Sequence, residues 1–190
     1  IEEHWPRIAA IDFGWDHPTA VVWCAIDNES DTFYIYDCHR ASKASPTVHS
    51  EVIRQRPYFI PIAYPHDGNR RDSMGNPGLA DQYRGHGCNF KLEHFTNPPA
   101  LGQKKGSNSI EEGVMAMLQS MENKNFKVFS TLHDWFEEFR MYHRKEGKVV
   151  PLRDDLMSAT RYAFQSQRYA IAGSDPKWTS DLTYRNLGIV

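Results

Sequence analysis

Apolar runs broken by turn residues divide the chain into short segments. Arg7–Phe13 is almost continuously apolar until Asp12, and Gly14 and Pro18 punctuate the residues after it; this predicts a buried strand. Thr19–Ile26 is β-branched and apolar, "DNESD" (27–31) has turn chemistry, and the aromatic-rich "TFYIYDC" (32–38) predicts a third strand. Short connections between the three predict an antiparallel meander. A helix comes next, with Ser45 as N-cap, Pro46 at its first position and Val48, Val52 and Ile53 as its apolar stripe. "FIPIAYP" predicts a short strand, "HDGNRRDSMGNPG" (66–78) a loop, Leu79–Arg84 a short helix and "CNFKLEHF" (88–95) another strand.

The second half is more helical. In "SNSIEEGVMAMLQSM", Ser109 and Glu112 form a capping-box pair, and Ile110, Val114, Met117, Leu118 and Met121 share a face. "FKVF" (126–129) predicts a strand, and Leu132, Trp135, Phe139 and Tyr142 stripe the next helix. "HRKEGKVVP" reads as a tight hairpin or turn, and "DDLMSATRYAFQ" as a last helix opening on two acids. The segment after Gly173 is rich in turn residues and is expected to be a tail. Without repeats or an internal boundary, this is a mixed α/β domain over 1–172 with a tail at 173–190, antiparallel at its start and parallel later.

Composition narrows the classes. With 190 residues, 40% of them hydrophobic and 24% charged, the chain has the apolar mass for a core, which excludes a disordered protein. No stretch approaches the roughly 20 apolar residues of a membrane span, and no membrane partner is expected. Cys24, Cys38 and Cys88 are odd in number and lack C-x-x-C spacing, which favours a reduced, intracellular setting. Charge is segregated despite the net −2. Acids crowd residues 1–40, while Arg140, Arg144, Lys145, Lys148 and Arg153 face only Glu146 within 140–153. Such a basic stretch suits a polyanion but also occurs on ordinary solvated surfaces.

Three acidic positions share one local logic. Asp12 ends the first strand, Asp67 comes after the fourth and precedes Gly68, and Asp154 and Asp155 open the last helix. If strands one and four are neighbours, Asp12 and Asp67 emerge at adjacent carboxyl ends, where open α/β sheets place their sites. A helix beginning at that edge brings Asp155 to the same point. Crowded carboxylates need a counter-charge, and hard divalent cations such as Mg²⁺ supply one. Each acid also has an ordinary use: turn chemistry for Asp12 and Asp67, helix capping for Asp154. Asp16, His17, His66 and Ser158 lie close to these acids in sequence and read equally well as solvated surface groups.

Taken in order, "IDFGWDHPTAVVW", the Asp-Gly after a strand, "GSNSIEEGVMAML", "LHDWFEEFRMYHRKEGKVV" and "RDDLMSATRYA" resemble the C-terminal nuclease domain of phage large terminase subunits, over about residues 7–172. The similarity is to terminases of short-tailed, headful-packaging enterobacterial phages. It implies an RNase H-like (RuvC/integrase-type) α/β fold, with a central mixed sheet of about five or more strands flanked by helices. It also implies a metal-dependent endonuclease that cuts concatemeric viral DNA at the initiation and termination of packaging. Asp12, Asp67 and Asp155 match the family's catalytic acids, and Asp154 joins them as a metal ligand for two Mg²⁺ or Mn²⁺ ions. Many relatives carry a third acid where this chain has Ser158, which implies a weaker second metal site.

The implied partners are double-stranded viral DNA, the ATPase domain of the same polypeptide, the small terminase subunit and the capsid portal, in the cytoplasm of the infected host. Arg70, Arg71, Lys104, Lys105, Arg144, Lys145 and Lys148 are the candidate phosphate contacts. No G-x-x-x-x-G-K-[ST] loop is present, and the chain lacks an initiator methionine, so an excised nuclease domain without its ATPase half is expected. Three other readings compete: a non-catalytic DNA-gripping module on the same fold, a resolvase-type nuclease, and an actin/Hsp70-like ATPase lobe whose phosphate loop would be "IDFGWDHPTAVV".

Overall fold

A computed structural model of the chain describes residues 1–70, 75 and 77–173. Arg71 and the expected tail from residue 174 onward lie outside the described residues. The elements in order are β1 (Arg7–Asp12), β2 (Thr19–Asp27), β3 (Thr32–Ala41), α1 (Pro46–Ile53), β4 (Ile62–Ala63), a 3₁₀ turn (His66–Asn69) and α2 (Leu79–Gly85). Then come α3 (Ile110–Glu122), β5 (Phe126–Val128), α4 (His133–Met141), the hairpin β6 (Arg144–Lys145) and β7 (Lys148–Val149), and α5 (Asp155–Gln165).

Five strands form one mixed sheet in the order β4-β1-β2-β3-β5. The first three pair antiparallel as the expected meander, while β4 runs parallel to β1 and β5 parallel to β3. Both faces of β1 and β2 are buried. Ile8, Ala10, Ala20, Val22 and Cys24 point into a core shared with α3, α4 and α5, and Ala9, Ile11, Val21 and Trp23 into one shared with α1 and α2. This two-sided burial is why these strands read as unbroken apolar runs. Ala159 and Ala163, fully buried on α5, let that helix lie close over β1 and β2.

Several expectations shift. The segment 88–95 is not a strand but a single bridge, Ile62 to Phe90. The Asn89 carbonyl still accepts from the Ile62 amide, but beyond it Arg84 donates to the Lys91 and Leu92 carbonyls and the Tyr64 hydroxyl donates to Leu92. Pro61 and Pro65 bracket β4 and hold it to two residues, because proline lacks the N–H a ladder needs. On α3, Met117 is buried as expected, but Ile110 and Leu118 are about half exposed (49% and 45%), and Gly113 faces inward. On α4, Phe139 is exposed and Glu138 holds the buried position beside Trp135. The capping box is half formed: the Glu112 amide donates to Ser109 Oγ at 3.3 Å, but the Glu112 carboxylate accepts from Ser107 and Asn97.

Candidate active site

Strand alternation fixes where Asp12 faces. It shares parity with Ile8 and Ala10, so its side chain lies on the α5 side of the sheet, at the carboxyl end of β1. Parallel pairing of β4 with β1 brings the end of β4 to the same edge, and the chain turns there through His66–Asn69. Gly68 is packed so tightly that a Cβ would sit 2.6 Å from the Phe13 ring and 2.7 Å from the Tyr64 ring. Only glycine fits behind Asp67, which is left exposed. Asp154 is the N-cap of α5 and Asp155 its first residue, and α5 packs across β1 and β2.

The four acids that the sequence singles out therefore lie in one another's electrostatic field. Burial pushes the Asp12 carboxyl up to about 7; a hydrogen bond with Tyr162 opposes the rise, and the charges of Asp155, Asp67 and Asp154 add to it. Burial raises Asp155 as well, with Asp154 adding to the effect. Asp154 is raised by burial, tempered by a hydrogen bond from Ser158 and by the Arg161 charge. All three would be relieved by a cation.

Asp155 opens onto a cavity of about 450 Å³ lined also by Asp16, His17, Arg40, Glu138 and Arg153. Asp67 lines a second of about 320 Å³ with Phe13, Trp15, Leu79 and Tyr83. The donor set, carboxylate oxygens near one end of the sheet, fits a hard divalent ion such as Mg²⁺ or Mn²⁺. Among the described residues, no three acidic, histidine or cysteine side chains close on a single point as a finished cage. Asp12, Asp67, Asp154 and Asp155 are the residues that could hold such an ion.

The candidate phosphate contacts scatter more widely. Arg70 is exposed beside Asp67 and donates its backbone N–H to the Asp67 carbonyl at 2.9 Å. Lys104 and Lys105 are exposed on the loop before α3. The Arg144 guanidinium is paired with Glu111 in the first turn of α3, while Lys145 and Lys148 stand exposed on the β6–β7 hairpin. His66 is exposed, and the charge of His17 bears on Asp154 and Asp155.

Three participants carry no motif that marks them in the sequence. Tyr162 lies seven residues after Asp155, two turns along one face of α5, so its nearness was available from helical spacing. Arg40 and Glu138 meet across 98 residues of chain and gave no local signal.

A family model for the terminase RNaseH-like domain matches residues 9–167. The large terminase subunit of Salmonella phage P22 is 36% identical over 169 residues, which cover 88% of this chain and 33% of that protein. The chain thus spans about a third of the length of this curated relative. The solved P22 large terminase nuclease domain superposes with a TM-score of 0.80 at 35% identity, covering 90% of this chain and 86% of that one. The bacteriophage SPP1 large terminase nuclease domain, solved with bound Mn, shares the fold at a TM-score of 0.59 and 19% identity, over 85% of this chain and 86% of that one. Because the family match runs from β1 through α5, across the strand that carries Asp12 and the helix that carries Asp155, the chain belongs to the terminase RNase H-like domain family.

Proposed function

We propose that this domain is the metal-dependent endonuclease of a phage DNA-packaging motor, cutting concatemeric double-stranded DNA as packaging begins and ends. The observation that carries the reading is the gathering of Asp12, Asp67, Asp154 and Asp155 at one end of the sheet, with Asp12 half-buried amid like charge. The Mn bound in the SPP1 domain supports a divalent cofactor here. Asp12, Asp67 and Asp155, assisted by Asp154, are the residues that would hold the ions, Asp12 being the one central to all of them. When bound, two Mg²⁺ or Mn²⁺ ions would supply activation of the attacking water and neutralisation of charge on the leaving 3′ oxygen. Tyr162 hydrogen-bonds Asp12, and the exposed Asp67 stays open to substrate. Hydrolysis then leaves 5′-phosphate and 3′-hydroxyl ends.

Arg70, Arg71, Lys104, Lys105, Arg144, Lys145 and Lys148 are the proposed sequence-blind phosphate contacts, Arg144 after release from Glu111. The ATPase domain of the same polypeptide, the small terminase subunit and the portal are the proposed partners, in the cytoplasm of the infected host. Plasmid nicking with Mg²⁺, Mn²⁺ or EDTA tests the reading. Wild-type protein is expected to nick only with metal, and Asp12→Asn, Asp67→Asn and Asp155→Asn are each expected to lose at least a hundredfold in rate. A folded wild-type domain that binds DNA but never cuts would instead identify a DNA-gripping module.

A further inference from the structure

Helix α5 carries an aspartate at its N-cap, yet that side chain makes no capping hydrogen bond. An N-cap aspartate ordinarily accepts from the second or third amide of its helix. Here the second amide, that of Leu156, donates instead to Glu138 Oε2 on α4 at 2.7 Å. Glu138 is fully buried, and its other oxygen accepts from Arg40 Nη1 at 3.0 Å. The second Arg40 nitrogen is held by Asp134, at 3.1 Å, and by Glu137. Arg40 sits near the end of β3, beyond the stretch that local pattern predicts as strand, and lines the cavity onto which Asp155 opens.

Burying a carboxylate is costly unless it is paired and hydrogen-bonded. Using one from a neighbouring helix as a cap, when an aspartate already stands at the cap position, makes sense if that aspartate is needed elsewhere. We propose that Glu138, braced by Arg40, is a positioning residue: it caps α5 in place of Asp154 and so leaves the Asp154 carboxylate free of the helix end, to face a divalent ion beside Asp155. The inference rests on the nuclease reading. Glu138 touches neither ion nor substrate in this scheme; it acts through the start of α5. Arg40 ties β3 and α4 to that helix end and holds the Glu138 carboxylate in line with the Leu156 amide.

The test compares Glu138→Gln, which keeps an acceptor oxygen, with Glu138→Met, which keeps the length and loses the acceptor. Calorimetric titration of Mn²⁺ without DNA is the first readout, hydrogen exchange at the Leu156 amide the second, and the split of nicking into kcat and KM the third. Glu138→Gln is expected to bind Mn²⁺ within about threefold of wild type. Glu138→Met is expected to lose roughly 10–100-fold in Mn²⁺ affinity, the usual range for supports of metal ligands, with a matching fall in kcat, an unchanged KM for DNA and faster exchange at Leu156. If Glu138→Met does not fold, Arg40→Leu with Glu138→Met removes the buried pair as a unit, a replacement proteins tolerate, and the same loss is expected. Wild-type Mn²⁺ affinity in a folded acceptor-less variant, or equal defects in Gln and Met, would overturn the proposal. A wild-type domain that neither binds Mn²⁺ nor nicks would sink the nuclease reading itself.

Discussion

Asp12 occupies its position at a cost in folding stability. Its carboxyl is half-buried at a strand end with three other acids in range, and Tyr162 is its hydrogen-bonding partner. Removing that charge without changing shape relieves its desolvation and, to a smaller extent, the repulsion, so Asp12→Asn is expected to melt about 2–8 °C higher than wild type in EDTA at pH 8, a gain of about 1–2 kcal/mol. Millimolar Mn²⁺ should reverse the order, raising the melting temperature of wild type while leaving the variant unchanged. Scanning calorimetry with and without metal checks both halves. A variant less stable than wild type in EDTA would show that Asp12 has a structural role that outweighs its repulsion. The strand end, Gly68 and the acidic pair were each visible in the sequence, because turn and capping chemistry is local. That Gly68 backs onto the Phe13 ring was not visible, since the contact spans 55 residues.

At the scale of elements, α1 meets β3 through two histidines. His39 Nε2 and His49 Nδ1 lie 3.2 Å apart, and His49 is buried. Burial lowers both below the ordinary value of 6.5; Asp37 pulls His39 up, Arg56 pulls it down, and His39 further lowers His49. The folded pair therefore stays neutral where the unfolded chain takes up protons. Stability from this contact is present above about pH 6.5 and is lost as the pH falls below it, by roughly 1.4 kcal/mol per pH unit for each extra proton the unfolded state binds. The raised carboxyls of Asp12, Asp154, Asp155 and Glu138 change in the opposite sense, so the comparison must be differential. Urea midpoints of wild type and His49→Gln between pH 7 and 5 should converge as the pH falls. Parallel curves would mean that the pair does not titrate with folding.

At the scale of the whole molecule, the acids and the exposed hairpin lysines lie on different elements. The acidic site lies at one end of the sheet, and Lys145 and Lys148 project from the β6–β7 hairpin, whose turn residues Glu146 and Gly147 both have positive φ (52° and 75°). Arg144 anchors that hairpin to α3 through Glu111 and touches Met115 Sδ at 3.6 Å. If the two lysines contact phosphates, replacing both with alanine weakens duplex binding. It also flattens the dependence of log K on log salt by about 1.8, roughly 0.9 per lost contact. Fluorescence anisotropy between 50 and 300 mM NaCl measures that slope. An unchanged slope would remove the hairpin from the DNA-binding surface and leave Arg70, Lys104 and Lys105 as the next residues to replace.

What the sequence alone determined is what short-range physics encodes. Two-sided burial wrote β1 and β2 as apolar runs, proline and serine marked the start of α1, and two acids marked the start of α5. The family resemblance, carried by the order of those segments, also named Asp12, Asp67 and the Asp154–Asp155 pair. Local pattern failed at 88–95, where Arg84 and Tyr64 side chains take the Lys91 and Leu92 carbonyls, and on α3, where Gly113 rather than Ile110 turns inward. Only the tertiary structure decided that β4 lies beside β1, so that the Asp67 charge is felt at Asp12, and that Glu138 from α4 caps α5. Contacts of that kind depend on which faces pack together when the core closes, and neither periodicity nor capping chemistry carries that information along the chain.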